Sequence, residues 1–344
     1  MLSKFFESLY NKVFVNIVVD RSQSTVYIEM CSKDKVVNSY EEIFATDSLN
    51  SDMLAFISNY TSESPYHYIS ILDKSNIQGA IPTCSKNQIS FYEDVSTVEH
   101  KCFNKNWTYF TSQEELYALE RNYEELGLDF IFSPFVLLAN FFEDKIDDHT
   151  AMYILIEDSF ISLSVFEKGK LLFSEHLDLE HTENDELLMY EDEEDENISI
   201  DLDEDDGIDL EDIDAIDDLD SLDDFGDIED LDSIEDIAEF AESKDIEEEF
   251  NESLSEDDDI PMNEADGFNE DYQRFALIQS SINSFYKDER YDSVFIESVY
   301  IADGVGVSND LKRYLEEEMF LSVYIRHVDL ATRVCELAKS EFSL

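Results

Sequence analysis

An acidic run between Glu183 and Glu270 constrains this chain more than any other feature of its sequence. The run holds 43 Asp and Glu residues and one basic residue, Lys244, in a chain whose formal net charge is −63. Like charges at this density repel one another, and few large apolar residues are present to offset the entropy lost on ordering. We therefore expect residues 183–270 to be a disordered acidic insertion that divides one folded protein into two parts.

The residues outside this insertion have the composition of an ordinary folded protein. They carry 21 Lys and Arg against 42 Asp and Glu, and they are rich in Phe, Tyr, Ile and Leu. Their number suffices for one large or two small hydrophobic cores. Nucleic acid is not an expected partner, because phosphate binding needs a basic patch and none is present. Direct membrane insertion is not expected either, because no long apolar stretch and no signal peptide are found.

The cysteines and histidines give no sign of a metal site. Neither set has the spacing of metal ligands, and neither a Walker A sequence nor a nucleophile elbow occurs. We therefore predict no metal site and no catalytic residue. The scattered cysteines, Cys31, Cys84, Cys102 and Cys335, predict reduced thiols of a cytoplasmic protein rather than a disulfide framework. The single tryptophan, Trp107, falls in a polar stretch and is expected to be partly exposed.

Two parts of the chain repeat one pattern, in which β-branched strands joined by short turns are followed by helices. The second part includes Lys168-Gly169, a favourable hairpin turn. Strands are predicted over residues 13–20, 25–30, 35–44, 66–72, 152–158, 293–301 and 321–325, and a hairpin over residues 161–179. Helices are predicted over residues 49–60, 112–126, 133–143, 271–286, 309–319 and 329–341, and the stretch between 73 and 111 is expected to be irregular. This is the layout of a duplicated α/β fold with mixed sheets.

Residues typical of helix ends support two of these helices. Ser112 followed by Glu115 is a capping box at the start of the second predicted helix, and Gly127 stands where a C′ glycine ends one. Pro134 occupies the first turn of the third predicted helix.

Four segments, in their order and spacing, resemble motifs of the actin-like ATPase superfamily. The resemblance is specifically to the PilM-like proteins of type IV pilus assembly and to the cytoplasmic domain of GspL-like proteins of type II secretion. The family's first phosphate loop is resembled by the segment VNIVVDRSQSTVYIEM of this chain. Its second phosphate hairpin is resembled by the segment MYILIEDSFISLSVFEKGKLLFSEHLDL. The segment that precedes this hairpin resembles EELGLDFIFSPFVLLANFFED. The C-terminal signature with its adenosine loop resembles INSFYKDERYDSVFIESVYIADGVGVSNDLKRYLEEEMFLSVYI.

The resemblance implies a duplicated actin-like, ribonuclease H-like fold of class α/β. Its N-terminal subdomain is expected over residues 1–150 and includes a helical or irregular inserted part. Its C-terminal subdomain is expected over residues 151–182 and 271–344, interrupted by the acidic low-complexity insertion 183–270.

The nucleotide site implied by the resemblance departs from the family pattern in both phosphate loops. The family's first loop reads Asp-x-Gly-Ser, whereas this chain has Asp20-Arg21-Ser22-Gln23. The second reads Asp-x-Gly-x-x-Thr, whereas the segment from Glu157 to Ser162 has no glycine, and Phe160 is expected to crowd a phosphate. Glycine is what lets backbone N–H groups approach an anion closely. The residues that the resemblance assigns to nucleotide binding are Asp20, Ser22, Ser24, Asp158, Asp303, Gly304 and Gly306.

These departures predict a degenerate site that does not hydrolyse ATP and holds no cofactor. Glu157 and Asp158 add negative charge where phosphates would lie, unless Mg²⁺ intervenes. Binding of ATP with Mg²⁺ through Asp20 stays open as the alternative. Turn-forming roles for Asp20, Gly304 and Gly306 are an equally simple interpretation.

The acidic insertion has a pattern of its own. From Leu210 to Phe240 apolar residues recur at every third position, a period that fits neither a helix face nor a strand. The insertion is therefore either low-complexity sequence without fixed structure or an acidic–hydrophobic segment that folds on a partner. The sequence DLDEDDGIDLED only approaches a calcium loop, because Gly207 is out of position.

The resemblance implies a cytoplasmic scaffold or adaptor protein that is recruited to the inner membrane. Its expected partner is an inner-membrane assembly protein with a basic cytoplasmic tail, in a type IV pilus, type II secretion or DNA-uptake machine. Two alternatives belong to other functional classes. One is an active Mg-ATP-dependent actin-like ATPase that gates assembly, and the other is an acidic chaperone-like protein that acts through residues 183–270.

Overall fold

The computed structural model of the chain describes residues 10–32, 35–147, 150–179 and 264–343. Nearly all of the predicted acidic insertion, including its three-residue repeat and its calcium-like sequence, lies outside these ranges. The strands are β1 (Lys12–Asp20), β2 (Gln23–Ser32), β3 (Lys35–Phe44), β4 (His67–Leu72), β5 (Gln78–Ile81), β6 (Val98–Phe103), β7 (Trp107–Ser112), β8 (Phe130–Phe132), β9 (Thr150–Ile156), β10 (Phe160–Glu167), β11 (Lys170–Asp178), β12 (Ser298–Asp303) and β13 (Ser322–His327). The helices are α1 (Ser51–Thr61), α2 (Lys86–Tyr92), α3 (Gln113–Asn122), α4 (Pro134–Phe141), α5 (Glu143–Ile146), α6 (Glu264–Lys287), α7 (Asn309–Met319) and α8 (Leu330–Ser343).

Two five-stranded sheets share one topology. The first has the order β3-β2-β1-β4-β8 and the second has the order β11-β10-β9-β12-β13. We call residues before β9 the first half of the chain and those from β9 onwards the second half. In each half three consecutive strands, β1–β3 or β9–β11, form an antiparallel meander, and the other two strands of the sheet run parallel to β1 or β9. A meander extended by parallel strands, present twice, confirms the predicted duplicated actin-like, ribonuclease H-like fold with mixed sheets.

The central strands form because their sequences suit burial on both faces. In β1 the run from Val13 to Val19 is buried, and in β9 the run from Ala151 to Ile156 has no exposed surface. Such near-continuous β-branched and aliphatic runs are typical of strands covered on both sides. Each sheet has its own hydrophobic core, and both belong to one compact unit of the chain. Within that unit, α8 returns from the second half to pack on β1, β2 and β4 of the first sheet.

Helix starts follow the capping residues of the sequence. Ser112 accepts a hydrogen bond from the backbone N–H of Glu115, and Ser133 caps α4 with Pro134 directly after it. Helix α3 ends at Asn122, earlier than predicted. Gly127, at φ +71°, lies in the turn that follows rather than at the C′ position of the helix.

The expectation of an irregular stretch between residues 73 and 111 is wrong. This stretch contains the helix α2 and a third sheet of order β5-β7-β6. Its strands have only four to six residues and carry many polar side chains, so their periodicity is weak. Trp107 at the start of β7 is buried, contrary to the expected partial exposure, and packs against Phe103 and Phe166.

The prediction of four reduced cysteines is wrong for two of them. Cys84 and Cys102 form a disulfide with Cα atoms 5.4 Å apart. Ile81 of β5 and Cys102 of β6 both pair with Thr108 of β7, so the chain leaving β5 passes the end of β6. The two residues are 18 positions apart in sequence, and only this non-local pairing brings them together. Cys31 and Cys335 are buried thiols, as predicted.

The remaining strand and helix predictions hold within a few residues, with two exceptions. The strand predicted over residues 293–301 begins only at Ser298, and the helix predicted over residues 271–286 begins already at Glu264. No helix within the ranges described above has both the length and the apolar character needed to cross a membrane.

Candidate functional site

A cleft of about 330 Å³ lies between the ends of the two sheets. From the first half it is lined by residues of β1, β2 and β3, and from the second half by the β9–β10 turn, the loop after β12 and the start of α8. The lining residues are Val18, Asp20, Gln23, Thr25, Glu41, Glu157, Asp158, Gly304, Val305, His327, Val328, Asp329, Leu330 and Ala331. No lysine or arginine of the described ranges lines the cleft, whereas five carboxylates do.

The hairpin β1–β2 ends in a two-residue turn at the cleft. The antiparallel register runs to the pair Asp20 and Gln23, so that only Arg21 and Ser22 form the turn. Arg21 has φ +45°, in the left-handed region that glycine favours. Ser22 is exposed in this turn, while Ser24 is buried and donates a hydrogen bond to the carbonyl of Thr46, 2.6 Å away. Neither serine lines the cleft.

The hairpin β9–β10 ends in an equally tight turn. Ile156 pairs with Ile161, and the N–H of Glu157 donates to the carbonyl of Phe160 at 3.0 Å, which leaves Asp158 and Ser159 in the turn. Phe160 is buried and packs on His176 with ring centroids 5.2 Å apart. Its side chain therefore does not line the cleft, and the expectation that it would crowd a phosphate there is wrong.

The two hairpin tips are hydrogen-bonded to each other. The hydroxyl of Ser159 donates to Oδ1 of Asp20 at 2.5 Å, and Nη2 of Arg21 donates to the carbonyl of Asp158 at 2.9 Å. Each tip thus supplies one donor and one acceptor to the other. We call this pair of contacts the tip bridge. It joins the two segments that resemble the phosphate loops of the family.

The buried carboxyl group of Glu157 lies beside this bridge. Glu157 is 7% exposed, and its Oε1 has no hydrogen-bond partner among the described residues. Burial raises the pKa of this carboxyl well above its usual value, and the neighbouring carboxylates of Asp20, Asp158 and Asp303 raise it further. The site therefore favours the protonated form of Glu157.

Gly304 is the residue that admits Glu157. A Cβ atom added at Gly304 would lie 2.5 Å from Cδ of Glu157 and would overlap its Oε1. Only a residue without a side chain permits this approach of carboxyl group and backbone. The sequence pattern identified Gly304 as a nucleotide-loop glycine, and the structure places it against a carboxyl group.

The loop after β12 is organised by its own aspartate. Oδ1 of Asp303 accepts hydrogen bonds from the N–H groups of Val305 at 3.1 Å, Gly306 at 2.8 Å and Val307 at 3.1 Å. Gly306 has φ +81° and open space around its Cα, as a turn requires. These N–H groups are bonded to Asp303, which is buried, and Asp303 and Gly306 do not line the cleft.

A buried arginine supports the second hairpin from behind. Arg274 of α6 is paired with Asp271 at 2.9 Å, and its Nη2 lies 3.9 Å from Oδ1 of Asp158. Asp271 also accepts hydrogen bonds from the N–H and the hydroxyl of Ser308, the N-cap of α7. The arginine is thereby committed to ion pairs with Asp271 and Asp158 and does not itself line the cleft.

Of the seven residues predicted for a nucleotide site, the structure brings Asp20, Asp158 and Gly304 together in the cleft wall. Sequence reasoning missed Glu41, His327 and Asp329 as lining residues. Asp329 carries a recognisable signal, since it caps α8 by accepting a hydrogen bond from the N–H of Thr332 at 3.1 Å. Glu41 carries none, because the local sequence predicts its strand but not the pairing with β2 that places it at the cleft.

A serine–histidine pair elsewhere does not form a catalytic site. The hydroxyl of Ser162 lies 2.8 Å from Nδ1 of His176. Ser162 has no exposed surface, so its hydroxyl is not accessible to a substrate, and burial lowers the pKa of His176 to about 4, which keeps the imidazole neutral.

Two family models match the chain. One, described as Domain of unknown function (DUF8341), matches residues 152–343, and the other, described as Domain of unknown function (DUF8569), matches residues 10–139. The first therefore begins in β9, and the second covers the strands of the first and third sheets. No curated protein matches the chain.

Several solved structures are similar to the chain along nearly its whole length. One is a protein of Bacteroides thetaiotaomicron described as having an actin-like ATPase fold and unknown function, with 12% identity, 97% of each chain covered and a TM-score of 0.47. Another is a chain of the PilM–PilN type IV pilus biogenesis complex, with 11% identity, 94% of each chain covered and a TM-score of 0.44. A third is the activator of the 2-hydroxyisocaproyl-CoA dehydratase from Clostridium difficile with bound ADPNP, with 12% identity, 97% of each chain covered and a TM-score of 0.37.

Proposed function

This chain belongs to the family described as Domain of unknown function (DUF8341), whose model matches more than half of it, and we propose that it is an actin-like adaptor that binds a partner protein without hydrolysing ATP. The tip bridge carries this proposal. In it, Ser159 is bonded to Asp20 and Arg21 to the carbonyl of Asp158, so the two segments that resemble phosphate loops are bonded to each other.

The local backbone gives a second reason. A phosphate cradle needs several N–H groups that point at one anion. Both tips are two-residue turns without glycine, and the N–H groups of the loop after β12 are bonded to Asp303. Few free backbone donors therefore face the cleft.

The charge of the cleft gives a third reason. Its lining has four carboxylates besides the carboxyl group of Glu157 and no cationic side chain from the described ranges, so a polyphosphate would be repelled there unless metal ions accompanied it. These features together favour a binding protein over a phosphoryl-transfer enzyme.

The partner class follows from the motif resemblance and from charge. Motif order resembles that of the PilM-like proteins, which implies an inner-membrane assembly protein as the partner and recruitment of a cytoplasmic protein to that membrane. A net charge of −63 favours a partner with a basic cytoplasmic tail, mainly by raising the association rate. The identity of this partner determines whether the adaptor acts in pilus assembly, protein secretion or DNA uptake.

Calorimetric titration of Mg-ATP into the intact chain tests the first half of the proposal. We expect no saturable heat and no phosphate release. Micromolar binding that Asp20→Ala abolishes would overturn it and would favour the active ATPase.

The adaptor role is tested with basic juxtamembrane tail peptides at low and physiological salt. Binding that weakens as salt rises is expected, and absence of binding at low salt would contradict the adaptor role.

A further inference from the structure

The cleft combines negative charge from both halves with apolar walls. Its carboxylates come from β1, β3, the β9–β10 turn and the cap of α8, so they surround the cavity rather than cluster on one element. The carboxylate-bearing residues are Asp20, Glu41, Glu157, Asp158 and Asp329. The apolar lining residues are Val18, Val305, Val328, Leu330 and Ala331.

Glu157 supplies an observation independent of this charge. Its Oε1 is buried without a hydrogen-bond partner among the described residues, and it lies where any side chain at position 304 would overlap it. Leaving a buried polar atom without a partner is energetically unfavourable. Because Glu157 lines the cleft, a cationic ligand bound there lies beside a carboxyl group whose Oε1 has no donor within the described ranges.

Metal ions do not fit this arrangement. Within the described ranges, no three His, Cys, Asp or Glu side chains converge closely enough to hold one. Calcium and magnesium require several oxygen ligands at about 2.0–2.6 Å from one point. Dispersed carboxylates instead suit a cation with several N–H donors spread over its length.

We propose that the cleft binds an organic cation, an ammonium or guanidinium group on a short methylene chain. The charged end would pair with Glu157 and the surrounding carboxylates, and the methylenes would contact the apolar wall. A cavity of about 330 Å³ falls within the size range of small-molecule sites. The ligand is either a free polyamine or a lysine or arginine side chain of a protein partner, since both carry this chemistry.

Titration calorimetry on the intact chain distinguishes these sources. Spermidine is the free-amine probe, a short arginine-containing peptide is the side-chain probe, and MgCl₂ is the metal probe. The titrations are run at about 0.15 M salt, where the Debye length of about 8 Å suppresses diffuse attraction to the acidic segment. One saturable site for either organic cation is expected, and competition by MgCl₂ at equal concentration would overturn the assignment.

Neighbouring residues on β3 provide a matched control for the charge of the chain. Glu41 lines the cleft and Glu42 does not, although both are exposed and both lose one charge on change to Gln. Glu41→Gln and Glu157→Gln are each expected to weaken binding about tenfold, and Glu42→Gln less than twofold. Equal effects of Glu41→Gln and Glu42→Gln would overturn the proposal, since binding would then follow net charge alone. Glu41→Gln keeps the test valid even if the buried variant folds poorly.

The pH dependence adds a signature that diffuse attraction lacks. Burial raises the pKa of Glu157 in the free protein, and a bound cation favours the ionised form of this carboxyl, so binding should release a proton and tighten as pH rises towards that pKa. The groups facing this carboxyl are Asp20, Asp158 and Asp303, with Glu41, His327 and Asp329 farther along the cleft. Glu157→Gln should flatten this dependence, and an unchanged dependence in that variant would contradict the proposal. A failure here with no Mg-ATP binding would leave the adaptor proposal intact.

Discussion

The two halves of the molecule place a carboxylate at the same point of the same topology, yet the two carboxylates end in different surroundings. Asp20 ends β1 and Glu157 directly follows β9, and each stands opposite the first residue after a two-residue turn. Asp20 is partly exposed and accepts a hydrogen bond from Ser159, whereas Glu157 is buried against Gly304.

The neighbouring parallel strand explains the difference. Extending the register of β1 with β4 places Lys74 beside Asp20, and extending that of β9 with β12 places Gly304 beside Glu157. In both halves the preceding residue, Asp73 or Asp303, is buried and accepts hydrogen bonds from the loop after it. The same turn therefore occurs in both halves. The glycine at position 304 is what allows the carboxyl group of Glu157 to be buried.

Gly304→Ala is expected to break this difference with the largest effect. The added methyl group meets the Glu157 carboxyl, and overpacking of this kind costs about 3 kcal/mol or more in the free energy of unfolding. Denaturant unfolding followed by circular dichroism measures it. Gly306→Ala, with open space but φ +81°, should cost only about 1–2 kcal/mol of backbone strain.

A double variant shows whether Glu157 is the cause. Glu157→Ala in the Gly304→Ala background removes the overlapping atoms, so it should recover most of the lost stability. If the two substitutions were additive, the close approach of Glu157 to Gly304 would not be the source of the loss.

The first half carries a third sheet that has no counterpart among the described residues of the second half, and the disulfide holds the end of this sheet. Replacing Cys84 and Cys102 by serine removes a closed loop of 18 residues, which should lower the free energy of unfolding by roughly 2–3 kcal/mol. Fluorescence of Trp107, buried in that sheet, follows the loss. Reductant should reproduce it in the unchanged chain and should have no effect on the double-serine variant. If the unchanged chain and the double-serine variant had the same free energy of unfolding, with and without reductant, the disulfide would not stabilise this sheet.

Much of the fold could be predicted because its signals are local. The runs in β1 and β9, the Lys168-Gly169 turn and the caps at Ser112 and Ser133 each depend on a few adjacent residues. The third sheet and its disulfide could not be predicted, because short polar strands are defined by partners distant in sequence.

The same distinction between local signals and contacts distant in sequence applies to the residues of the cleft. Asp20, Asp158 and Gly304 were identified because motif order points to them. The burial of Glu157 depends on Gly304, far along the chain, and Glu41 faces the cleft only through pairing of β3 with β2. Ser24 has a suitable side chain in a suitable segment, but the twist and register of β2 turn it towards Thr46.

The buried carboxyl group of Glu157 should make the free energy of unfolding depend on pH. The folded-state pKa of Glu157 lies above its usual value of 4.5, so the native state binds a proton more tightly than the unfolded chain. Its contribution is therefore fully present below pH 4.5 and is lost as pH rises towards the folded-state pKa, by at most about 1.4 kcal/mol per pH unit. Urea unfolding across this range should show a smaller decline for Glu157→Gln, and the same decline as the unchanged chain for Glu42→Gln. If Glu157→Gln left the decline in the free energy of unfolding unchanged, other carboxylates would be its cause.

The smallest expected effect belongs to the tip bridge. Ser159→Ala removes one partly exposed hydrogen bond to Asp20 and should lower the free energy of unfolding by about 1 kcal/mol. Ser22→Ala, in the exposed turn of the other tip, should change it by less than about 0.5 kcal/mol. If Ser159→Ala were equally neutral, the two tips would not hold each other, and the bridge would no longer argue against a nucleotide between them. A measurable loss in Ser159→Ala alone would instead mean that the two tips hold each other.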